Sequence, residues 1–203
     1  GFVGWYMVSS GLVDRIDVSH FRLSIHLVLA FIILTLILWN YLILKNIKPP
    51  LFKLNIFIPL SFLILIFLQI IIGAFVSGMD AGKIYNSWPM MVNTYFPNDS
   101  NYMDLLKISS FSNPSLVQFY HRNLAYLIFF FYIFISFKIY KSKLVQMFFA
   151  INLLGITLIL QIILGITTLL FGAEIFISSM HQITSIFLVS SSVYLLFLNW
   201  QSN

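Results

Sequence analysis

Five long apolar tracts separated by short polar stretches set the pattern of this chain: residues 21–44, 55–78, 115–137, 144–171 and 177–199. Each is long enough for an α-helix to cross about 30 Å of hydrocarbon with some tilt. In lipid the backbone must satisfy its own hydrogen bonds, so tracts of this length predict helices rather than buried strands. A sixth apolar run, Gly1-Phe2-Val3-Gly4-Trp5-Tyr6-Met7-Val8, is too short to span and reads as the end of a helix that begins upstream.

The polar punctuation orients the spans. Lys45, Lys48 and Lys53 fall between the first and second, and Lys138, Lys141 and Lys143 between the third and fourth. Both connections are short and purely positive, which predicts the cytoplasmic (or matrix) side. Asp14, Arg15 and Asp17, the loop 79–114 and Glu174 then fall on the opposite, outer side, and the C-terminus Gln201-Ser202-Asn203 returns inside.

This alternation gives the histidines a common level. His26, His121 and His181 each stand near the start of a span running from outside to inside, with His20 further out at the interface. Asn113 can cap and Pro114 can occupy the first position of the helix that carries His121. An imidazole within a span is costly unless something binds it. A single one at a helix end is ordinarily an interfacial polar residue; three at one depth on alternate helices point to ligation of iron or another metal.

The second span contains Leu68-Gln69-Ile70-Ile71-Ile72-Gly73 and the fourth Leu160-Gln161-Ile162-Ile163-Leu164-Gly165, an internal repeat at one depth. The glycines admit either a neighbouring helix or a flat ligand, and the glutamines can bridge helices or meet that ligand. Gly4 to Gly11 followed by His26 matches in outline the end of the fourth span followed by His181. The expected fold is therefore all-α, a polytopic membrane helical bundle. Residues 51–203 form one complete four-helix half, and residues 1–50 the back portion of another.

Composition agrees with a membrane bundle. The chain is 60% hydrophobic and 8% charged, with a net charge of +5. The lysines lie in topology-setting loops, so the basic balance does not indicate nucleic acid. With no cysteine, disulfides and thiolate chemistry are excluded. Loop 79–114 is long and rich in aromatics and methionine, which predicts packing on the membrane face, as a lid with a short interfacial helix at 102–108 or as an aromatic belt segment. Arg22 and Arg122 stand beside histidines at the outer boundary, where each can pair with heme propionates or snorkel to the interface.

Two histidines from separate helices of a four-helix bundle make a bis-imidazole heme site. Within the complete half the candidates are His121 and His181. Zinc is disfavoured because the spans hold no carboxylate, and hydrolytic acid–base pairs and phosphate-cradling glycine loops are absent from the sequence. At the level of chemistry alone an enzyme and a non-catalytic bis-histidine b-type cytochrome stay open. So does a helical transporter or assembly factor with interfacial histidines and no heme.

Several blocks carry a resemblance: Gly4-Trp5-Tyr6-Met7-Val8, Phe21-Arg22-Leu23 with His26, Tyr85-Asn86-x-Trp88-Pro89-x-Met91, His121-Arg122-x-x-Ala125-Tyr126, Leu160-Gln161-x-x-Leu164-Gly165 and His181-Gln182. Together they resemble the heme A synthase family over essentially the whole chain. The resemblance implies an oxidoreductase of two similar four-helix halves that converts a methyl group of heme o into the formyl group of heme a for cytochrome oxidase. By position it implies heme b held by His121 and His181, with His26 on the substrate side. It also implies heme o synthase and an electron donor as partners, a bacterial or mitochondrial inner membrane, and an architecture open to a homo-oligomer. The loop 79–114 without cysteine is similar to the proteobacterial and mitochondrial branch. Relative to the family pattern the chain starts two helices late, so it is expected to be an incomplete, inactive fragment.

Overall fold

A computed structural model describes residues 1–11, 18–47 and 53–200; Asp14, Arg15, Asp17, Lys48 and the terminal Gln201-Ser202-Asn203 lie outside the described residues. The described residues form α1 (Phe2–Gly11), α2 (His20–Leu44), α3 (Phe57–Gly78), α4 (Pro114–Lys141), α5 (Phe148–Leu170) and α6 (Ile175–Trp200), joined in places by short 3-10 turns, with no strand among them. Five of these, α2 to α6, are long and apolar enough to cross a membrane. The expected spans are all present. The fourth is redistributed, because Val145–Met147 is a 3-10 turn and α5 begins at Phe148.

Local chemistry fixes the ends. Asn113 Oδ1 accepts the backbone N–H groups of Ser115 (2.9 Å) and Leu116 (3.3 Å), and Pro114 opens α4 as the sequence predicts. α5 stops where Gly172 (φ 65°) and Ala173 (φ 58°) turn left-handed. There the Ala173 N–H closes on the Thr168 carbonyl at 2.8 Å. Glu174 then caps α6 by accepting the Ile177 N–H at 2.9 Å.

α3, α4, α5 and α6 close a ring, each packed against the next and α6 returning to α3; α2 lies outside this ring against α3 and α6, and α1 rests on α2. α6 is the most enclosed span, with Val189, Val193 and Phe197 fully buried. Helices in lipid gain no hydrophobic drive toward one another, so close approach relies on small residues and polar links. Gly78 lets α3 pass over the backbone of His20, and Gly155 receives the hydroxyl of Tyr132. Thr157 and Ser191 hydroxyls hydrogen-bond at 3.0 Å between α5 and α6.

At the end marked by Lys45, Lys53, Lys138, Lys141 and Lys143 the ring is filled. Phe62, Ile66, Ile135, Ile139, Met147, Ile151, Leu154 and Val193 pack there as one core. Asn199 of α6 completes this end: its Oδ1 accepts the Leu54 N–H (2.8 Å) and its Nδ2 donates to the Leu54 carbonyl (3.1 Å). A buried carboxamide thus satisfies two backbone groups of the segment that enters α3. The opposite end is packed differently, and the histidines stand there.

Candidate functional site at the histidine level

No side chain of α4 from 119 to 127, α5 from 159 to 170 or α6 from 175 to 183 reaches full burial. Ile70, Ala74 and Phe75 of α3 are buried here, and beside them stand imidazoles, glutamines and glycines. His121 is carried by α4 and His181 by α6, two helices of the same ring.

Each imidazole rests on a glycine of the preceding helix. A Cβ added to Gly73 would lie 3.1 Å from His121 Cε1, and one added to Gly165 would lie 3.0 Å from His181 Cε1. The same contact recurs outside the ring, where a Cβ on Gly4 of α1 would lie 2.9 Å from His26 Cε1. Three helical hairpins therefore repeat one device: a glycine strips side chain from one helix so that the ring edge of its neighbour lies on the backbone.

The repeat glutamines sit one turn from those glycines, and they bridge helices. Gln69 Nε2 donates to the His121 carbonyl (3.0 Å) and lies 3.3 Å from His121 Nε2. Gln161 Nε2 donates to the His181 carbonyl (2.9 Å) and lies 3.4 Å from His181 Nε2. On both rings Nδ1 is buried without a hydrogen-bond partner. Imidazoles carried by two helices of one ring, each with a buried ring nitrogen that lacks a hydrogen-bond partner, suit an iron porphyrin. Among the described residues no cluster of three or more histidine and carboxylate groups suits a bare metal ion.

Arg122 faces away from this interior. Its Nη1 donates to the carbonyls of Ser87 (2.9 Å) and Met90 (3.3 Å), and its Nη2 to the carbonyl of Tyr85 (3.0 Å), leaving Nε buried without a partner. Gln118, buried one turn earlier, donates to the same Tyr85 carbonyl at 3.1 Å. Asn86 adds a link to the end of α5 by donating to the Leu169 carbonyl at 3.0 Å. The Asn-x-Trp-Pro-x-Met block is thus a lid stapled to α4 and α5. The sequence left Arg122 open between propionate pairing and snorkelling; among the described residues its guanidinium is held by the lid carbonyls.

Beneath the lid the Tyr85 phenol is pushed up in pKa, first by burial and then by its hydrogen bond to Asp99 and that carboxylate's charge. Ser115 also donates to Asp99, at 2.6 Å. Residues 102–108 are not one helix but parts of two 3-10 turns, Tyr102–Leu106 and Ile108–Ser112. Their Tyr102, Met103, Leu106 and Ile108 side chains are exposed. Arg22 stacks over the Tyr6 ring at 5.6 Å, with Nη1 buried and unpartnered. His20, at the start of α2, packs on the Phe21 and Phe75 rings and against Gly78.

A family model described as cytochrome oxidase assembly protein matches residues 1–193. The chain belongs to the cytochrome oxidase assembly protein family. Similar relatives carry the name heme A synthase. The protein from Pelagibacter ubique is 50% identical over 199 residues, covering 98% of this chain and 59% of its own length. Those from Wolbachia pipientis and Flavobacterium johnsoniae are 40% and 38% identical, covering 96% and 97% of this chain and 55% and 59% of theirs. The chain therefore spans less than two thirds of the length of these relatives. No solved structure matches it. Family membership and five apolar helices make this an integral membrane protein, and the resemblance read from the motif blocks holds.

Proposed function

We propose that this chain is the heme-holding part of a heme A synthase, which oxidises the methyl group of heme o to the formyl group of heme a for cytochrome oxidase. The observation that carries this reading is the repeated glycine–imidazole contact, present at His121 and His181 within one ring of helices and again at His26 outside it.

In this reading His121 and His181 would hold heme b. Heme b held in this way supplies a one-electron redox centre. His26, on its own glycine at Gly4, serves the neighbouring half where the substrate heme o is handled. Conversion of the methyl to a formyl exchanges two hydrogens for an oxygen from water and releases four electrons and four protons. A membrane electron acceptor must take those electrons. The glycines bring the rings close to the helix backbones, and the lid held by Arg122, Gln118 and Asn86 covers the histidine end and limits water entry. With the lysine loops on the cytoplasmic or matrix side, the histidines lie toward the outer face.

A reduced pyridine-hemochrome spectrum of the purified protein tests heme binding, and heme b is expected. His121→Ala and His181→Ala are each expected to abolish it, whereas His26→Ala is expected to keep it. Hemes extracted from cells that make heme o, with the chain expressed together with its adjoining coding sequence, test the reaction. Bound heme b without any heme a leaves a non-catalytic cytochrome, and no bound heme overturns the proposal.

A further inference from the structure

α2 and α5 both lean on α6, and a half-open groove of about 190 Å³ lies between them. Its lining includes Leu38 and Leu42 of α2, Thr157 of α5, and Phe187, Ser190 and Ser191 of α6. The two buried hydroxyls are turned on the protein itself. Thr157 and Ser191 bond each other at 3.0 Å, and Ser191 donates to the Leu188 carbonyl at 3.0 Å. An occupant therefore meets carbon there.

Size and depth narrow the occupant. A helix with its side chains is about 10–12 Å across, and pockets for drug-sized ring systems run to about 300–1,000 Å³. This groove is too small for either, and it suits a single alkyl chain. Leu42 stands close to the end of α2 at Leu44, and Thr157 lies about 14 Å along α5 from its start at Phe148. The groove thus occupies the half of the roughly 30 Å hydrocarbon layer that is nearer the lysine end.

Charge narrows it further. Lys45 follows Leu42 by one turn and Leu38 by two, on the same face of α2, and its exposed ammonium lies 5.3 Å from the Tyr41 ring. Trp39 packs on Phe197 and Trp200 at this end, where indoles mark the headgroup level. The carboxylates among the described residues, Asp80, Asp99, Asp104 and Glu174, all stand in loops at the opposite end. Side chains at the mouth of the groove therefore favour an anion.

We propose that this groove is a lipid site that takes one acyl chain of an anionic glycerophospholipid, with Lys45 attracting its phosphate. The site is independent of the heme reading.

Native mass spectrometry tests it on the purified protein, transferred from mixed micelles holding equal phosphatidylglycerol and phosphatidylcholine of matched chains. One retained phosphatidylglycerol per chain is expected, about fivefold in excess over phosphatidylcholine, the scale of one lysine near an anionic headgroup. Lys45→Gln is expected to equalise the two lipids, and Lys141→Gln, on a helix that does not line the groove, to change nothing. Ser190→Leu and Leu38→Phe fill the groove from facing helices, and each is expected to abolish retention; either one that folds decides. Ser190→Ala is expected to keep it. Equal retention of both lipids by the wild type, or full retention by a filled variant, overturns the proposal. Equal losses in Lys45→Gln and Lys141→Gln leave only diffuse charge attraction and overturn it too. A dimer that the filling substitutions dissolve makes a second copy the occupant instead.

Discussion

The Cε1 edge of the His181 ring lies over the backbone of Gly165, 3.0 Å from where a Cβ would stand. A methyl group there meets the ring rather than backbone, so the imidazole must move by a few tenths of an ångström. Gly165→Ala is expected to fold and to weaken heme binding by about 10-fold, the scale of losses when support for a metal ligand is disturbed. Absorbance titration with heme measures this, and unaltered affinity would mean that the contact does not orient the ligand.

Arg122 joins the helix of His121 to the lid through three carbonyls. Arg122→Leu takes this donor from the Ser87 carbonyl and leaves the Tyr85 and Met90 carbonyls to Gln118 and the Ser87 hydroxyl; it is expected to lower the free energy of lid opening by about 2 kcal/mol. Limited proteolysis within 79–114 should then accelerate roughly 30-fold, by the rule of about 1.4 kcal/mol per tenfold. Arg122→Lys, a point charge without the planar fork, should fall between. Equal cleavage rates in all three proteins would count against the staple.

Asn199 satisfies both backbone groups of Leu54 from within the buried end of α6. Asn199→Leu keeps the volume but strands a donor and an acceptor, and is expected to cost about 2–4 kcal/mol. Reversible unfolding in mixed detergent measures this loss. Asn199→Asp, which retains the acceptor for the Leu54 N–H, should recover part of it.

The Glu174 carboxyl sits below its ordinary value of 4.5, because the backbone N–H of Ile177 and then that of Phe176 donate to the charged form. A folded value below the unfolded one gives a contribution that is complete above 4.5 and is lost as the pH falls through the folded value. Acidification below that window is expected to fray the first turn of α6, seen as faster amide exchange at Ile177. Glu174→Gln should show no such acid step.

Much of the site could be read from residue order. Asn113 and Pro114 announced the start of α4, and period and length announced the spans. The shared depth of His26, His121 and His181 followed from counting along alternating helices. The repeat Leu-Gln-Ile-Ile-x-Gly marked the right residues without their roles. Whether its glutamines bridged helices depended on which side of α3 faced α4, and apolar tracts that are hydrophobic all round carry no such signal.

The same limit hid Asn199 and Arg122. Asn199 carries no signal in the sequence, because its partner Leu54 lies 145 positions earlier. For Arg122 the sequence offered propionates or snorkelling, and its contacts with the carbonyls of Tyr85, Ser87 and Met90 appear only with the path of residues 85–90. By itself the sequence determined the membrane-length helices, because bilayer thickness and backbone hydrogen bonding leave no other solution for such tracts. Tertiary structure alone decided which ring meets which glycine. That outcome depends on helix rotation, and rotation is set by packing between segments far apart in the chain.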